Sequence, residues 1–408
     1  MYSFSFLFFT LPLYFSHIFL PFGLVIWEAY SFERQKVIFF FGILLLSYLE
    51  WIIRFPQLIE NVYKKYLYII IILLILPIVS MLYFGWRVDT DFLIWSYEKH
   101  HWYIFYFSII NFIFLLAAST STQLKKYLSW SIFSSVLVAW IAIGEHIGWI
   151  LDIYGRSEMY SLYDGRSSST LGNPNYVAGY LLLFIPIVIG KIEILKERYW
   201  KQSGIFILYL AILWFLVGWI YSTGSHIALF LIWFLCLWYC LRYLFVWMHL
   251  WKQVALLLSF TGVITFLLYS SVEPSKFLSL ESRFVLMKET FGIMIQYPIS
   301  FFIGFGPDSI LSYFSHMRSS LVNLYFPRDM LIDSFHNIFL DIFFQYWIIP
   351  FVLFFSMLYK ERRNILSPFG LAILLILFFL SLNVFVISHI MLIALLVVYV
   401  SQVPCGRK

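Results

Sequence analysis

Long apolar segments alternate with short polar segments along almost the whole chain. A helix that crosses a membrane needs about 20 consecutive, mostly apolar residues. Twelve segments approach or reach that length, namely residues 4–27, 37–53, 66–84, 102–119, 128–151, 176–190, 203–221, 226–245, 254–271, 338–359, 369–383 and 386–400. The pattern predicts an all-α polytopic membrane protein with about 12 transmembrane helices. These helices would form a single integral membrane domain, residues 1–408.

Composition excludes a soluble globular protein. Of the 408 residues, 62% are hydrophobic and only 12% are charged, whereas soluble domains carry roughly 25% charged residues. The formal net charge of +6 does not indicate a nucleic-acid partner, because the basic residues lie in short loops between apolar segments. The three cysteines, Cys236, Cys240 and Cys405, show no metal-ligand spacing, so we expect no metal site.

Lysine and arginine are distributed unevenly between the two sides of the predicted bundle. If the N-terminus is inside, that side holds sixteen of them, namely Arg54, Lys64, Lys65, Lys125, Lys126, Lys191, Lys196, Arg198, Lys201, Arg242, Lys252, Lys360, Arg362, Arg363, Arg407 and Lys408. Short loops on the other side hold six, namely Arg34, Lys36, Arg87, Lys99, Arg156 and Arg166. Basic residues near spans favour the cytoplasmic side. The bias predicts a multi-pass protein of the cytoplasmic (inner) membrane, with residues 152–175 and 271–341 outside the cell interior.

The second outer loop is the only long segment that is neither apolar throughout nor short, and its polar part covers residues 272–337. Loops on a rigid support often carry function. Between residues 278 and 297, apolar residues recur with a helical period and predict an amphipathic helix on the outer membrane surface, with Arg283 in its first turns. The predicted apolar stripe consists of Phe284, Met287, Phe291, Met294 and Ile295.

Three predicted spans begin on the outer side next to polar residues. Asn173 and Pro174 have the pattern of an N-cap followed by proline at the first helical position. The sequence STGSH, residues 222–226, precedes the eighth span, and DSFHN, residues 333–337, precedes the tenth. Helix N-termini bind anions, because they carry unpaired N–H groups and a partial positive charge.

The charged residues near these helix starts each have two interpretations. Arg166 and Arg283 would complete a pocket for a diphosphate, because guanidinium binds phosphate oxygens in a forked geometry. An arginine in an outer loop is, however, most often a headgroup or solvent contact, and a lone histidine at a helix start is more often a cap than a catalyst. Glu145, near the outer end of its predicted span, is either functional or structural, and the sequence leaves both open.

Four segments then occur in a defined order, namely STLGNPN at residues 169–175, STGSH at 222–226, Arg283 ahead of PISFFIGFGP, and DSFHNIFLDI at 333–342. In these segments the chain resembles the O-antigen ligase / O-antigen polymerase family over residues 120–400. The resemblance implies a GT-C-like fold with a large extracytoplasmic loop, and a membrane glycosyltransferase that uses no nucleotide, metal or other cofactor. It also implies an undecaprenyl-diphosphate-linked glycan donor and a glycan, lipid or protein acceptor on the outer face.

The resemblance can be carried over residue by residue. Arg166 and Arg283 match the family's outer-loop arginines and His336 its HN histidine, which implies a catalytic set of these three. The substrate-binding residues implied in the same way are Asn173, Asn175, Ser225, His226 and Asn337. Two positions depart from the family pattern. His226 stands where the family has arginine in TGSR, and Leu286 and Met287 stand where a tryptophan often follows the second arginine.

Physical reasoning and resemblance lead to one expected mechanism. Negative charge accumulates on the departing undecaprenyl diphosphate, and fixed cations aimed at it lower the barrier. We expect Arg166 and Arg283 to supply them. His336, kept neutral by the positive end of a helix, is the expected general base for the acceptor hydroxyl. A single displacement at C1 would invert the anomeric configuration.

Two alternatives stay open at this point. A lipid-linked oligosaccharide flippase or other polysaccharide transporter would share the many spans, the surrounding membrane lipids and the anion-binding arginines. A transporter should also show inverted repeats and charged residues near mid-membrane, whereas most predicted spans are almost free of charge in their centres. Within the enzyme class, a ligase and a polymerase differ in their acceptor, and the four segments do not separate them.

Overall fold

The computed structural model describes residues 2–13, 29–54, 60, 71, 75, 78–79, 82–83, 103–149, 166–167, 169–171, 173–198, 203–244, 259, 274–306, 309–310, 314, 319–326, 338–346 and 387–402. All regular structure in these residues is helical, which confirms the predicted all-α class for this part of the chain. The α-helices are α1 Tyr2–Thr10, α2 Ala29–Arg54, α3 Tyr103–Ala117, α4 Ser121–His146, α5 Pro174–Arg198, α6 Ser203–Ser222, α7 His226–Leu244, α8 Pro274–Gln296, α9 Ser300–Ile303, α10 Ser320–Tyr325, α11 Ile338–Tyr346 and α12 Ile387–Gln402. Two 3-10 turns, Leu11–Leu13 and Ser169–Leu171, accompany them.

Three of these helices contain segments long and apolar enough to cross a membrane, namely Ser121–His146 in α4, Pro174–Ile192 in α5 and Gly204–Ser222 in α6. They coincide with the fifth, sixth and seventh predicted spans. Helices α2, α3, α7 and α12 lie where the second, fourth, eighth and twelfth spans are predicted. The predicted spans at residues 254–271 and 369–383 lie outside the described residues, apart from Ser259. The described helices fit a membrane protein, and the number of twelve spans stays a prediction.

The larger hydrophobic cluster is built around α5, which packs against α4, α6, α7 and α12. Every residue of α5 from Val177 to Val188 is buried, and a helix that is apolar on all sides has to be surrounded in this way. By contrast, α6 exposes large apolar side chains, among them Ile207, Trp214 and Tyr221. Such side chains on the outside of a bundle mark an apolar surrounding. α6 therefore fits the lipid-facing border of the bundle.

Helix α4 begins seven residues before the span that its apolar residues predict, because its start is capped. The Thr120 hydroxyl accepts the N–H of Gln123 at 3.4 Å, and the Gln123 side-chain oxygen accepts the N–H of Thr120 at 2.7 Å. This reciprocal capping box satisfies two N–H groups that would otherwise lack partners. Lys125 and Lys126 consequently lie on the first turns of α4 and not in a loop.

The first predicted span, residues 4–27, is not one uninterrupted α-helix. Helix α1 gives way to the 3-10 turn Leu11–Leu13, in which Pro12 has no N–H to donate to an α-helical ladder. Near the start of α1, Ser3 donates its backbone N–H at 3.3 Å, and also its hydroxyl, to one carboxylate oxygen of Glu50. These bonds fix the start of α1 to the C-terminal part of α2.

A second hydrophobic cluster contains residues of α8, α10 and α11 and of the segment between α8 and α10. On α8, Leu286 and Met294 are fully buried in this cluster, whereas Phe284, Phe291 and Ile295 are exposed. The predicted single apolar stripe is therefore wrong in part, because Met294 belongs to the packed face. The two apolar faces of α8 adjoin each other around the helix, and hydrophobic periodicity alone does not separate them.

The GFG segment that follows α9 attaches this region to α11. Phe305 and Gly306 donate their backbone N–H groups to the carbonyl oxygens of Phe344 and Gln345, at 2.8 and 3.0 Å. The rings of Phe305 and Phe344 stack with centroids 4.5 Å apart. Gly304 and Gly306 have φ angles of 65° and 95°, which glycine adopts without steric cost. The amphipathic helix α8 is thereby joined to the helix that directly follows DSFHN.

Candidate functional site

The chain between α4 and α5 folds back along α4. Ser167 donates its hydroxyl to the carbonyl oxygen of Ala142 at 2.9 Å. Ser169 donates its hydroxyl to the carbonyl oxygen of Val138 at 2.7 Å, one helical turn further from the end of α4. Leu171 in the same stretch is also buried. Non-helical backbone inside a membrane protein is stable only where protein groups satisfy it, and these bonds contribute to that.

Glu145, which is 1% exposed, holds this stretch in place. One of its carboxylate oxygens accepts the backbone N–H of Ser169 at 2.6 Å. The same oxygen lies 3.0 Å from the hydroxyl of Ser167, whose single proton is shared between Glu145 and the carbonyl oxygen of Ala142. Ser169 has a φ of 46°, a left-handed conformation that costs a residue other than glycine about 1–3 kcal/mol. The bond from the Ser169 N–H to the Glu145 side chain helps to offset such a cost. The backbone that leads into α5 therefore depends on Glu145.

Arg166 directly precedes the anchored stretch, and its side chain lies against the turn between α6 and α7. A Cβ atom added to Gly224 would lie 2.8 Å from Cδ and 3.4 Å from Cγ of Arg166. Gly224 also has a φ of 62°. Glycine is thus favoured at this position both by its backbone conformation and by the close approach of the arginine. The structure brings Arg166 together with the STGSH turn, although the two are far apart in sequence.

The structure confirms both predicted helix starts in this region. Helix α5 begins at Pro174, and the side-chain oxygen of Asn173 accepts the N–H of Asn175 at 2.9 Å, as an N-cap does. The Asn173 oxygen is therefore engaged in capping. Helix α7 begins at His226 and follows the buried Ser225 directly. The side chain of His226 lies outside the described part of the chain. Two helix N-termini thus lie at the end of the bundle that carries the arginine.

These elements all lie at one end of the bundle. The C-terminal end of α4 meets the C-terminal end of α6 there, with the rings of His146 and Trp219 6.4 Å apart. Lys125 and Lys126 lie in the first turns of α4, at its other end. At 1.5 Å per residue, about 30 Å of helix separates the lysine pair from the end near Arg166. The bundle therefore has one end with the arginine and one end with the lysines.

Arg283 lies on α8, beside the second cluster, and is half-buried. Burial lowers the pKa of its guanidinium from the usual value, because desolvation penalises the charged form. Helix α8 contacts α11, which begins at Ile338. His336 and Asn337, the two residues before α11, lie outside the described residues, so their roles stay predictions. Arg166 and Arg283 lie beside different hydrophobic clusters.

Sequence reasoning left the role of Glu145 open and did not select Ser167 or Ser169. A signal existed, because a carboxylate near the end of an apolar span needs hydrogen-bond donors, and the serine-rich stretch RSSST follows it in the next loop. The sequence does not show which of these serines fold back far enough to reach the carboxylate. That depends on the left-handed turn at Ser169.

The arrangement suits an anion, because Arg166 and the positive ends of two helices lie at the same end of the bundle. Among the described residues, no group of three or more His, Cys, Asp or Glu side chains could hold a metal ion. The chain matches no family model, no curated protein and no solved structure with which it was compared. Its function has to be inferred from these residues themselves.

Proposed function

We propose that the protein is a membrane glycosyltransferase of the O-antigen ligase or polymerase type, with a GT-C-like fold and about 12 transmembrane helices. It transfers a glycan from an undecaprenyl-diphosphate-linked donor onto an acceptor hydroxyl on the outer face of the cytoplasmic membrane. The observation that carries the proposal is the contact between Arg166 and Gly224. It joins the stretch ahead of STLGNPN to the STGSH turn, so that two segments of the family resemblance meet at one end of an apolar bundle.

The proposed donor site uses positive charge of two kinds. Arg166 contributes a guanidinium at the end of the bundle where α5 and α7 begin, and the partial positive charge of these helix ends favours phosphate oxygens. Arg283 contributes a second guanidinium from α8. Burial lowers its pKa, yet arginine keeps its proton in proteins at neutral pH, so the side chain remains a cation. Both charges act on the diphosphate, where negative charge increases as the sugar leaves.

The proposed chemistry is a single displacement at C1 of the donor sugar. The acceptor oxygen forms a bond to C1, and the bond from C1 to the diphosphate oxygen breaks with its electron pair. Undecaprenyl diphosphate is the leaving group, and the proton of the acceptor hydroxyl passes to His336. His336 precedes α11 by two residues, and the positive end of a helix favours a neutral imidazole.

The proposed orientation places the arginine end of the bundle outside. Lys125 and Lys126 occupy the opposite end of α4, and basic residues next to a span favour the cytoplasm. A lipid-linked donor would then keep its tail among the apolar helices and present its diphosphate at the outer surface.

The test is a transfer assay with the purified protein in liposomes that contain undecaprenyl-diphosphate-linked oligosaccharide. We expect release of undecaprenyl diphosphate in step with new glycan on the acceptor. Arg166→Ala should lower the rate by about 10²–10³-fold, the factor typical of losing one group that stabilises transition-state charge. Arg156→Ala, a change in the same predicted loop, should leave the rate nearly unchanged. Movement of the donor across the bilayer without a new glycosidic bond would contradict the proposal and support a flippase.

A further inference from the structure

The hydrogen bonds of the buried Glu145 side chain hold one particular stretch of backbone. Its carboxylate oxygen binds the side chain of Ser167 and the main chain of Ser169, two residues apart on one strand of backbone. The Ser167 hydroxyl shares its one proton between Glu145 and the carbonyl oxygen of Ala142, and the Ser169 hydroxyl donates to the carbonyl oxygen of Val138. The backbone immediately after Arg166 is thus held at several points.

The Arg166 side chain is also confined by the turn at Gly224. A Cβ atom at residue 224 would contact the Cγ and Cδ atoms of Arg166. The stem of the arginine is therefore confined between the turn that follows α6 and a backbone stretch whose position depends on Glu145. A shift of that stretch would move the guanidinium, because the side chain begins one residue before the first anchoring bond.

We infer that Glu145 is a positioning residue for Arg166, acting as a hydrogen-bond acceptor that fixes residues 167–169. That the placement of the Arg166 side chain matters for glycan transfer rests on the proposed function. The placement itself does not. Glutamine can replace the carboxylate in this role, because its side-chain oxygen can accept both bonds. Alanine cannot.

The test uses a cross-link that reports the position of residue 166. Arg166→Cys and Gly224→Cys are introduced together, because a Cβ at residue 224 would lie 3.4 Å from Cγ of Arg166. The two Cβ positions are therefore less than about 5 Å apart, close to the separation that a disulfide spans. The three native cysteines are replaced by serine. The disulfide yield under mild oxidation should fall about tenfold or more with Glu145→Ala, the factor expected when buried donors lose their acceptor. It should stay within about twofold of the parent with Glu145→Gln.

Glu50→Ala is the matched control, because Glu50 also accepts a backbone N–H and a hydroxyl, but from Ser3 on α1. It should leave the yield unchanged. Ser167→Ala removes one of the two donors and leaves the carboxylate in place, so it should lower the yield by a smaller factor. This milder change decides the question if Glu145→Ala does not fold. An unchanged yield in Glu145→Ala or in Ser167→Ala, or equal losses with Glu145→Gln or Glu50→Ala, would overturn the inference.

A second readout separates this inference from the proposed function. In the transfer assay, with Arg166 present, Glu145→Ala should raise the donor KM and lower kcat, and Glu145→Gln should restore both. With Arg166→Ala as the background, Glu145→Ala should have no further effect, because the residue it positions is already missing. A further loss in that background would show a role other than positioning. A cross-link that behaves as expected in a protein without transferase activity would overturn the proposed function and leave the positioning intact.

Discussion

The two arginine regions of the molecule are held in different ways. Arg166 lies between a carboxylate-anchored backbone stretch and a glycine turn, beside a cluster of long helices. Arg283 lies on α8, an amphipathic helix with one face in a small cluster and another face that exposes Phe284 and Ile295. The first region is fixed by specific polar bonds. The second is fixed by apolar packing and by the backbone bonds of the GFG segment to α11.

The difference indicates a division of roles. A region fixed by buried hydrogen bonds has one arrangement, since breaking any bond leaves a buried polar group without its partner. A helix held mainly by an apolar face can shift with less loss, because hydrophobic contact is not directional. We therefore expect the Arg166 region to be the fixed half of the donor site. We expect the Arg283 region to be the half that adjusts to the donor at the membrane surface.

The largest expected effect concerns the side of the membrane and is all or none. Single cysteines replace the exposed Trp149, at the arginine end of α4, and the exposed Ser320 on α10, while a third replaces the exposed Ser121 at the lysine end. In intact spheroplasts, a membrane-impermeant maleimide should label positions 149 and 320 only, and position 121 after permeabilisation. Labelling of position 121 in intact cells would reverse the topology. Labelling of position 149 but not of position 320 in intact spheroplasts would place the Arg166 and Arg283 regions on opposite sides of the membrane.

The next largest effect is expected at His336. His336→Ala should lower the transfer rate by about 10²–10⁴-fold, the usual contribution of a general base, while donor binding stays near the parent value. His336→Gln should be almost as slow, because an amide cannot take up the proton. His316→Ala in the same predicted loop is the control. A His336→Gln variant with the parent rate would limit this residue to orienting the acceptor.

The pH profile adds to this prediction. A histidine base loses activity as pH falls through its pKa, about 6.5 for an unperturbed ring, and the residual rate of His336→Gln should lack this fall. Burial lowers the pKa of Arg283, but the group stays protonated through the neutral range. Deprotonation of Arg283 should therefore contribute no loss between about pH 6 and about pH 9.

An effect of medium size is expected at Gly224, next to Arg166. Comparing two glycine variants distinguishes the contact with Arg166 from backbone strain. Gly224→Ala should raise the donor KM or lower kcat by about 10–100-fold, because a displacement of about 1 Å in a positioning group can cost that much. Gly148→Ala is the control, since Gly148 also has a positive φ, of 76°, but nothing lies within 4 Å of its added Cβ. Equal kinetic losses in the two variants would assign the effect to strain and not to Arg166.

The smallest effect compares two helix caps by thermal unfolding in detergent. Asn173→Ala should lower stability by about 1 kcal/mol, since its side chain caps the long, buried α5. Ser319, whose hydroxyl oxygen accepts the N–H of Val322 at 3.2 Å, caps the six-residue α10. Ser319→Ala should shift the global transition less, because a short helix can open locally. A larger shift for Ser319→Ala would mean that the loop region carries the global stability.

Sequence alone predicted those features of both regions that depend on neighbouring residues. The start of α5 follows from Asn173 and Pro174, and the start of α7 follows from the STGSH turn. Both are local rules of backbone chemistry. The apolar composition likewise predicts the helices that could span a membrane.

Features that depend on distant contacts could not be read in the same way. The bonds of Glu145 join residues 22 and 24 positions apart, and no local pattern specifies them. The approach of Arg166 to Gly224 depends on how α4, α6 and α7 pack. On α8, Met294 and Phe284 are both apolar, and only the packing partners show that the first is buried and the second exposed.

The central claim is that the two regions act on one diphosphate. It is tested most directly by a double-mutant cycle with Arg166→Lys, Arg283→Lys and the combined variant, measured as kcat/KM for the lipid-linked donor. Each single change should cost at least about tenfold, because lysine cannot reproduce the forked contact to phosphate. Arg318→Lys and Arg328→Lys should be tolerated.

If both arginines bind the same diphosphate, the combined loss should be clearly smaller than the product of the single losses, since groups that act as a unit are not additive. Losses that multiply would place the two arginines in independent sites. Single changes with the parent kcat/KM would remove both from the donor site and contradict the account.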